Sequence, residues 1–325
     1  LLCVECLSLM ITVSHQTPRL QAVKKQALSS CGRAASTLQG PRYFSGQRNM
    51  SAMNDLGPLP TAKSLIQSLL LAADDRAYPA RQLVAACALF DLTENNVRVA
   101  LVRLQSEGIL EAEGRGFYRL GPAAMDLAQE VSAWRQVESR IQHWDGQYIG
   151  VHCGGLSRSD KPTQSRRQQA FKLHGFAELE KGLFIRPDNL TGGVDDIRQR
   201  LHQLGLESGA IVFRADQFGH THQHRLRTLW QSLDLNQRYQ SIQQQLQAWL
   251  ATASELSPDQ AAREAFLIGR PAIRQVLYDP LLPDGMVDTL ARQQCFETIR
   301  RFDSAGRALW WQFFQFSDTP PDSSI

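Results

Sequence analysis

The stretch that decides the fold of the first half of this chain runs from Thr93 to Leu110 and reads TENNVRVALVRLQSEGIL. Thr93 is a typical helix N-cap residue, and Gly108 is a typical residue just past a helix end. Between them the apolar residues recur at three- and four-residue steps, at Val97, Ala100, Leu101 and Leu104. This spacing predicts an amphipathic helix that buries one stripe and leaves a polar N-terminal turn exposed.

Two shorter helical patterns precede this helix, and a hairpin pattern follows it. The first begins at an N-cap, Thr61, and the second at Pro79, a residue type favoured in the first turn of a helix. After the third helix, two short apolar segments flank Gly114-Arg115-Gly116, which predicts two strands joined by a tight turn with a cation at its tip. Three helices and a hairpin are typical of a winged helix-turn-helix, which we expect over residues 59–121.

The exposed turns of the third helix carry residue types that read DNA. Asn pairs bidentately with adenine, and Arg pairs with guanine or with a phosphate. The predicted DNA-binding residues are Arg81, Thr93, Glu94, Asn95, Asn96, Arg98, Arg103 and Arg115. The alternative is a protein-interaction module whose polar face is only solvated. Because the stretch from Thr61 to Gly121 carries seven cations and seven carboxylates, we expect one copy to bind DNA weakly and a dimer to bind it better.

The middle of the chain predicts a linker helix followed by a small sheet domain. From Pro122 to Trp144 apolar residues recur at helical spacing, so we expect one long helix within residues 122–145. Over residues 146–216 the patterns follow the order strand, helix, strand, strand, helix, strand, which predicts a ferredoxin-like βαββαβ domain. Its first loop and helix are rich in basic residues, which form either a solvated face or a site for phosphate groups.

Residues 217–325 predict a helical C-terminal domain, which completes an α+β multidomain protein. Helical patterns run from Leu226 to Leu250 and again from Pro258, and the segment from Tyr278 to Pro283 interrupts them. Just before Leu226, histidines stand at every second position, at His220, His222 and His224. In an extended loop their side chains would point to one side, as metal ligands do. These histidines define an alternative function, a metal-dependent hydrolase or nuclease.

Composition and motifs restrict the function further. A chain with 43% hydrophobic residues, 21% charged residues and a net charge of +3 is neither disordered, membrane-spanning nor a polycation. No nucleotide-binding or hydrolase motif stands in the sequence, so we predict neither an enzyme nor a cofactor. Residues 1–58 are poor in acidic residues, and we expect a tail or a non-native segment upstream of a start at Met50 or Met53. The scattered cysteines favour a reducing cytoplasm.

Three segments together resemble the PaaX family of transcriptional repressors. The Thr93–Leu110 stretch is similar to the recognition-helix segment of GntR-like winged helices. Gly175-Phe176 leads to GLFIRPDN at Gly182–Asn189, and YDPLLP stands at Tyr278–Pro283. The resemblance covers roughly residues 59–316 and extends over all the predicted domains in the same order. It implies a homodimeric repressor of phenylacetic acid catabolism that binds double-stranded DNA at a palindromic operator and is released by phenylacetyl-CoA.

Such an aryl-CoA effector requires cations for its phosphates and an aromatic cleft for its acyl group. In this chain the middle domain supplies the cations and the C-terminal domain supplies the aromatic residues. The predicted effector-binding residues are Arg158, Arg166, Arg167, Arg186, Trp230, Tyr278 and Trp310. The alternative is that these arginines are surface charges and that the effector is another molecule.

Overall fold

The structure is a computed structural model that describes residues 59–73, 76–122, 124–125, 133–156 and 159–317. The tail predicted over residues 1–58 and the effector residue Arg158 lie outside the described residues. None of the helices in the described part of the chain has both the length and the apolar character needed to span a bilayer. The protein mixes helix and sheet and ends in a helical region, which confirms the predicted fold class at that level.

The described residues of 59–121, here called the N-terminal region, contain three helices and a small sheet. The helices are α1 (Ala62–Leu71), α2 (Ala80–Ala88) and α3 (Glu94–Ser106), and the strands are β1 (Tyr78–Pro79), β2 (Leu110–Ala112) and β3 (Phe117–Leu120). Both predicted N-caps are confirmed, because the side chains of Thr61 and Thr93 accept hydrogen bonds from the first turns of α1 and α3. The apolar stripes of the three helices meet in a core that includes the fully buried Leu65, Leu83 and Leu104.

Strand β1 was not predicted. In the sheet, β3 lies between β1 and β2, and both pairs are antiparallel. β1 has only two residues, Tyr78 and Pro79, and Pro79 is also the N-cap of α2. A strand this short has no alternating pattern for sequence analysis to detect, since its place is set by pairing with β3 rather than by its own residues.

The linker helix predicted up to Trp144 is wrong over its C-terminal part. Ala133–Arg140 form a 3₁₀ helix with non-helical backbone angles at Gln136. The chain then leaves the helix, because Ile141 forms a β-bridge with Leu190 and the Gln142 amide donates to Asn189 O at 2.9 Å. Pairing with a distant segment therefore overrides the helical spacing of the apolar residues. The remainder of the predicted helix lies largely outside the described residues.

The middle region is a four-stranded antiparallel sheet with two helices. Its elements are β4 (Tyr148–His152), α4 (Lys161–Leu173), β5 (Ala177–Glu180), β6 (Leu183–Pro187), α5 (Gly193–Gln203) and β7 (Ile211–Ala215). The order across the sheet is β5-β6-β4-β7. In the central strand β4, Gly150 faces the ring of Phe213, which stands 2.5 Å from where a Cβ atom would lie. Only glycine allows the two strands this approach.

Between residues 217 and 317 the C-terminal region contains four α-helices, α6 (His220–Thr228), α7 (Ser232–Thr252), α8 (Pro258–Leu277) and α9 (Thr289–Ser317), and a 3₁₀ helix at Ala253–Glu255. The single helix predicted from Leu226 to Leu250 is wrong at its start, because the chain breaks before Ser232 with Gln231 at φ 50°. Helices α7, α8 and α9 share a core of buried aromatic residues, among them Phe266, Phe296 and Phe302.

Two of the three segments that carried the family resemblance, the one ending at Asn189 and Tyr278–Pro283, meet at the junction between the sheet and the C-terminal helices. Gly175 has φ +68°, and a Cβ atom there would lie 2.6 Å from Pro280 Cα. Asn189 Nδ2 donates to Leu281 O at 2.7 Å, and the Leu281 amide donates to Asp279 Oδ1 at 2.9 Å. These motif residues therefore hold two regions of the protein together.

The N-terminal region also packs on the C-terminal helices. Phe90 contacts Phe266 with ring centroids 5.2 Å apart, and Tyr78 contacts Phe314 at the same separation. Arg263 donates a hydrogen bond to Leu89 O. The turn before α3 and the strand β1 are thus both fixed against the last helices of the chain.

Candidate nucleic-acid interface

The N-terminus of α3 is ordered by a reciprocal cap. The Thr93 amide donates to Asn96 Oδ1 at 2.9 Å, and the Asn96 amide donates to Thr93 Oγ1 at 3.3 Å. The Thr93 hydroxyl also donates to Asn96 Oδ1 at 2.7 Å. The Asn96 side chain, predicted to read a base, therefore stabilises the helix start. A polar residue three positions after an N-cap is the signal that could have revealed this role.

Asn95 and Arg98 lie on the exposed side of α3. Arg98 Nη2 forms an ion pair with Glu94 Oε1 at 2.6 Å, with side chains that are 74% and 58% exposed. An exposed pair of this kind contributes about 0.3–0.5 kcal/mol, so Arg98 can exchange Glu94 for a phosphate or a guanine at little cost. Glu94 therefore contacts Arg98 in this structure, and its predicted contact with DNA stays a prediction.

Two apolar side chains also lie on this polar face and were missed by sequence analysis. Val99 is 43% exposed and Val102 is 66% exposed. They stand four and seven positions after Asn95, which places them on the same side of the helix. In a major groove, an exposed apolar side chain contacts the methyl group of thymine. Apolar residues at helical spacing from the exposed Asn95 are the signal that was available.

The predicted cations outside the first turns of α3 are all exposed. Arg103 lies in the last turn of α3, and Arg115 lies at the tip of the β2–β3 hairpin, between glycines with positive φ angles. The amide of Ala80 donates to Gly116 O at 2.8 Å, so the start of α2 lies beside the hairpin tip. Arg81 and Arg115 are therefore carried by adjoining segments at one edge of the N-terminal region, where both can reach a phosphate backbone.

The remaining charges of this region largely neutralise each other. Lys63 pairs with Glu107 at 2.6 Å, and Arg119 pairs with Glu111 at 2.6 Å. These four residues lie away from the face formed by Asn95, Arg98 and Val102, on α1, the end of α3 and the hairpin strands. The positive charge that can attract DNA is thus confined to a few arginines, in agreement with the neutral composition.

The predicted effector cations are engaged in contacts within the protein. Arg166 Nη2 donates to Thr163 Oγ1 at 2.9 Å, and Arg167 Nη1 pairs with Glu207 Oε1 at 2.5 Å. Arg186 is fully buried and donates to Pro187 O, to His174 O and to Asn189 Oδ1. Burial lowers the pKa of Arg186 to about 9, which leaves it charged at neutral pH.

The predicted effector aromatics lie at two different places. Trp230 Nε1 donates to Gly175 O at 3.0 Å, and Gln169 Nε2 donates to the Tyr278 hydroxyl at 3.1 Å, both at the junction with the sheet. Trp310 instead packs against Phe314 and Phe266 near the N-terminal region. The structure therefore does not bring these three residues together, and their joint role in one effector site stays a prediction.

The three alternating histidines lie on α6, not on the extended loop that the alternative function required. On a helix, His222 points away from His220 and His224, since alternate positions lie on opposite sides. His222 Nε2 is 4.0 Å from Glu180 Oε1, which also pairs with Arg225. Within the described residues no group of three or more His, Cys, Asp or Glu side chains is placed to hold a metal ion.

Comparison with known proteins places two parts of the chain in one family. Residues 61–124 match the family model of PaaX-like proteins, and residues 230–312 match the model of the PaaX-like protein C-terminal domain. Over 236 residues the chain is 28% identical to the transcriptional repressor PaaX of Escherichia coli (strain K12), covering 66% of this chain and 71% of that protein. An uncharacterized protein from Mycobacterium tuberculosis has a similar fold, with 21% identity, a TM-score of 0.55, and coverage of 78% of this chain and 99% of its own.

Proposed function

The chain belongs to the PaaX-like family, and from that premise we propose that it is a DNA-binding transcriptional repressor of phenylacetate catabolism genes. The observation that carries the proposal is the exposed face of α3. There a capped helix start exposes Asn95 and Arg98, and the same region carries exposed cations at the start of α2 and at the hairpin tip. A polar helix N-terminus flanked by phosphate-reaching arginines is the arrangement by which helix-turn-helix proteins read a major groove.

The architecture supports the same proposal. We assign the N-terminal region, residues 59–121, to a winged helix-turn-helix with α3 as recognition helix and the β2–β3 hairpin as wing. We assign residues 146–216 to a ferredoxin-like domain, because the strand order β5-β6-β4-β7 follows from a βαββαβ chain. The helical region after it forms the third domain. The protein then acts in the cytoplasm on DNA and performs no chemical reaction itself.

A homodimer on a palindromic operator fits the charge of the N-terminal region. Because its cations and carboxylates are equal in number, a single copy gains little from neutralising phosphates. Two copies joined through the remainder of the chain would present two recognition helices to half-sites one helical turn apart. This arrangement doubles the base contacts without requiring a basic domain.

We extend the proposal to release of the operator by an aryl-CoA thioester such as phenylacetyl-CoA. Arg166 lies on α4 with a partly accessible side chain, and Arg167 beside it is held by Glu207. Of the predicted cations, Arg186 is the least suited to a ligand, since its three donor groups already have acceptors inside the protein. Arg166 and Trp230, both half-buried, remain the candidates for contact with such a ligand.

The test selects duplexes from a random DNA pool with the full chain and then measures the affinity of variants for the selected site. Arg98→Ala should cost on the order of 1–3 kcal/mol at that site, as expected for a lost base or phosphate contact. Arg115→Ala should weaken binding to all duplexes and flatten the salt dependence. Arg238→Ala, an exposed arginine on α7, is the matched control and should change neither. Failure to retain any duplex at low salt removes the proposed function.

A further inference from the structure

Helix α9 and the N-terminal region line a cavity of about 150 Å³ that is partly open to solvent. Its apolar walls are Leu69 and Ala72 from the end of α1, Tyr78 from β1, and Trp310 and Phe314 from α9. Two arginines, Arg76 and Arg307, stand in the same lining. The cavity is therefore formed by both the DNA-binding region and the C-terminal region, and neither encloses it alone.

The size and the walls of the cavity suit one aromatic ring. An apolar protein cavity of about 150 Å³ is large enough to hold a benzene molecule. Tyr78 and Phe314 meet edge to face with centroids 5.2 Å apart, and Trp310 is tilted against Phe314 at 5.5 Å. A planar ring inserted among these side chains gains edge-to-face and stacking contacts beyond its area burial.

The polar groups of the lining favour an anionic or oxygen-bearing substituent. Trp310 is 4% exposed, and its indole Nε1 has no hydrogen-bond partner among the described residues. A buried donor without an acceptor is destabilising, and a ligand oxygen that accepts from it would remove this cost. The Arg76 guanidinium lies 4.1 Å from the centroid of the Trp311 ring, which holds its charge at the cavity. Arg307 adds a second cation, partly balanced by Asp303 at 3.5 Å.

We propose that this cavity binds a small aromatic carboxylate, with the ring between Tyr78, Trp310 and Phe314 and the carboxylate near Arg76 and the Trp310 indole. The proposal deepens the proposed function by giving it a regulatory site, and its influence on DNA rests on that function. Because the ligand would touch α1 and α9 at once, it favours whichever packing of the two regions accommodates it. Its effect on DNA affinity can be no larger than its difference in affinity between those packings.

The binding test uses the full chain without DNA, so its outcome does not depend on the proposed function. Phenylacetate, toluene and acetate are titrated separately by calorimetry, and tryptophan fluorescence is recorded. One phenylacetate molecule should bind per chain, with an affinity at least tenfold higher than that of toluene. Acetate should not bind at millimolar concentration. Equal affinity for phenylacetate and toluene would overturn the role of the cations, and no binding of either would overturn the site.

Two variants with a matched control locate the ligand. Ala72→Met should fill the cavity and weaken phenylacetate binding at least tenfold, whereas Ala308→Met, at an exposed position on α9, should leave it unchanged. Arg76→Gln should weaken phenylacetate but not toluene, and this test holds even where Ala72→Met fails to fold. Unchanged phenylacetate binding in folded Ala72→Met would place the ligand elsewhere and reject the proposal.

A separate measurement tests the regulatory role. Phenylacetate should shift the affinity of the parent chain for the selected duplex and should not shift that of Ala72→Met. No shift in the parent would reject the regulatory role and would leave the binding site unaffected.

Discussion

His174 should make the stability of this protein sensitive to mild acid. The residue ends α4 and is buried at 8% exposure, and its Nε2 has no hydrogen-bond partner among the described residues. Burial, followed by the nearby cations Arg186, Arg140 and Arg200, lowers the pKa of His174 from 6.5 to about 3, with Asp196 opposing the shift. In the folded protein the imidazole therefore stays neutral where an unfolded chain would take up a proton.

The sign and the size of the effect follow from this difference in pKa. Since the folded pKa is depressed, the unfolded state binds more protons below pH 6.5, and the contribution of His174 to stability is present above that pH and is lost as the pH falls toward 3. Between about pH 7.5 and pH 5 this amounts to a loss of about 2 kcal/mol in the free energy of unfolding, taking about 1.4 kcal/mol per pH unit. A loss of that size is a large part of the stability of an ordinary domain.

Urea denaturation of the parent chain and of His174→Gln at the two pH values measures the effect. The glutamine does not titrate, so the variant should lose about 2 kcal/mol less than the parent between them. His224→Gln, at an exposed position on α6, is the control and should follow the parent. Parallel pH dependences for the parent and His174→Gln would refute the reasoning, because the imidazole would then be protonated in the folded state or shielded from solvent in the unfolded state.

Three further predictions concern the motif segment and the recognition helix. Tyr239→Phe should lower the free energy of unfolding by about 1–3 kcal/mol in urea titrations, since the Tyr239 hydroxyl donates at 2.7 Å to the buried Asp279 carboxylate; a change within error would show that water replaces the hydroxyl. Asn96→Ala should destabilise the protein by about 1 kcal/mol in thermal denaturation, because the helix cap is lost. A loss of affinity for the selected duplex without any change in stability would instead indicate that the Asn96 side chain contacts a base. Val102→Ser should lower the affinity for the selected duplex. Replacing one thymine of that duplex by deoxyuridine should lower the affinity of the parent chain but not that of the variant. Equal losses of affinity in both proteins would exclude a contact with the thymine methyl group.

The helices of the N-terminal region could be predicted from sequence because their determinants are local. Thr61 and Thr93 each stand just before an apolar stripe, and each caps the helix that the stripe predicts. The order of strands and helices over residues 146–216 was also predicted, since turn residues such as Gly182 separate short apolar segments. Such elements depend on a few neighbouring residues and need no knowledge of distant partners.

Elements that depend on distant residues could not be predicted. Ile141 continues the helical spacing of its neighbours, yet it pairs with Leu190 because the sheet domain offers that edge. The 3₁₀ helix before it is fixed by Arg300 pairing with Glu138 at 2.8 Å and by Asp303 pairing with Arg135 at 2.9 Å, both from α9. No window of sequence around residue 140 contains this information.

Arginines posed a related difficulty at the predicted effector site. A cation that binds a ligand and a cation that joins two segments of the chain have the same sequence signature, and the contacts of Arg186 in this structure are of the second kind. It stands in strand β6, where alternation would place every second side chain in the interior, and its acceptors are backbone carbonyls and Asn189. Burial position, more than residue type, decides which role an arginine takes.

Helix α9 connects the C-terminal core with the cavity at the N-terminal region. With 29 residues it is roughly 43 Å long at 1.5 Å per residue. Its first half carries Phe296 and Ile299 into the C-terminal core. Its second half places Phe314 against Tyr78 of the N-terminal region, with Trp310 beside Phe314. Because the first half is fixed in a close-packed core, a ligand beside Trp310 cannot be accommodated by moving the whole helix. The conformational change that admits a ligand would instead occur in α1 and β1. Strand β1 pairs with β3 of the hairpin that carries Arg115. A ring bound in the cavity would therefore alter the orientation of the hairpin relative to α3, the two elements that we propose to contact DNA.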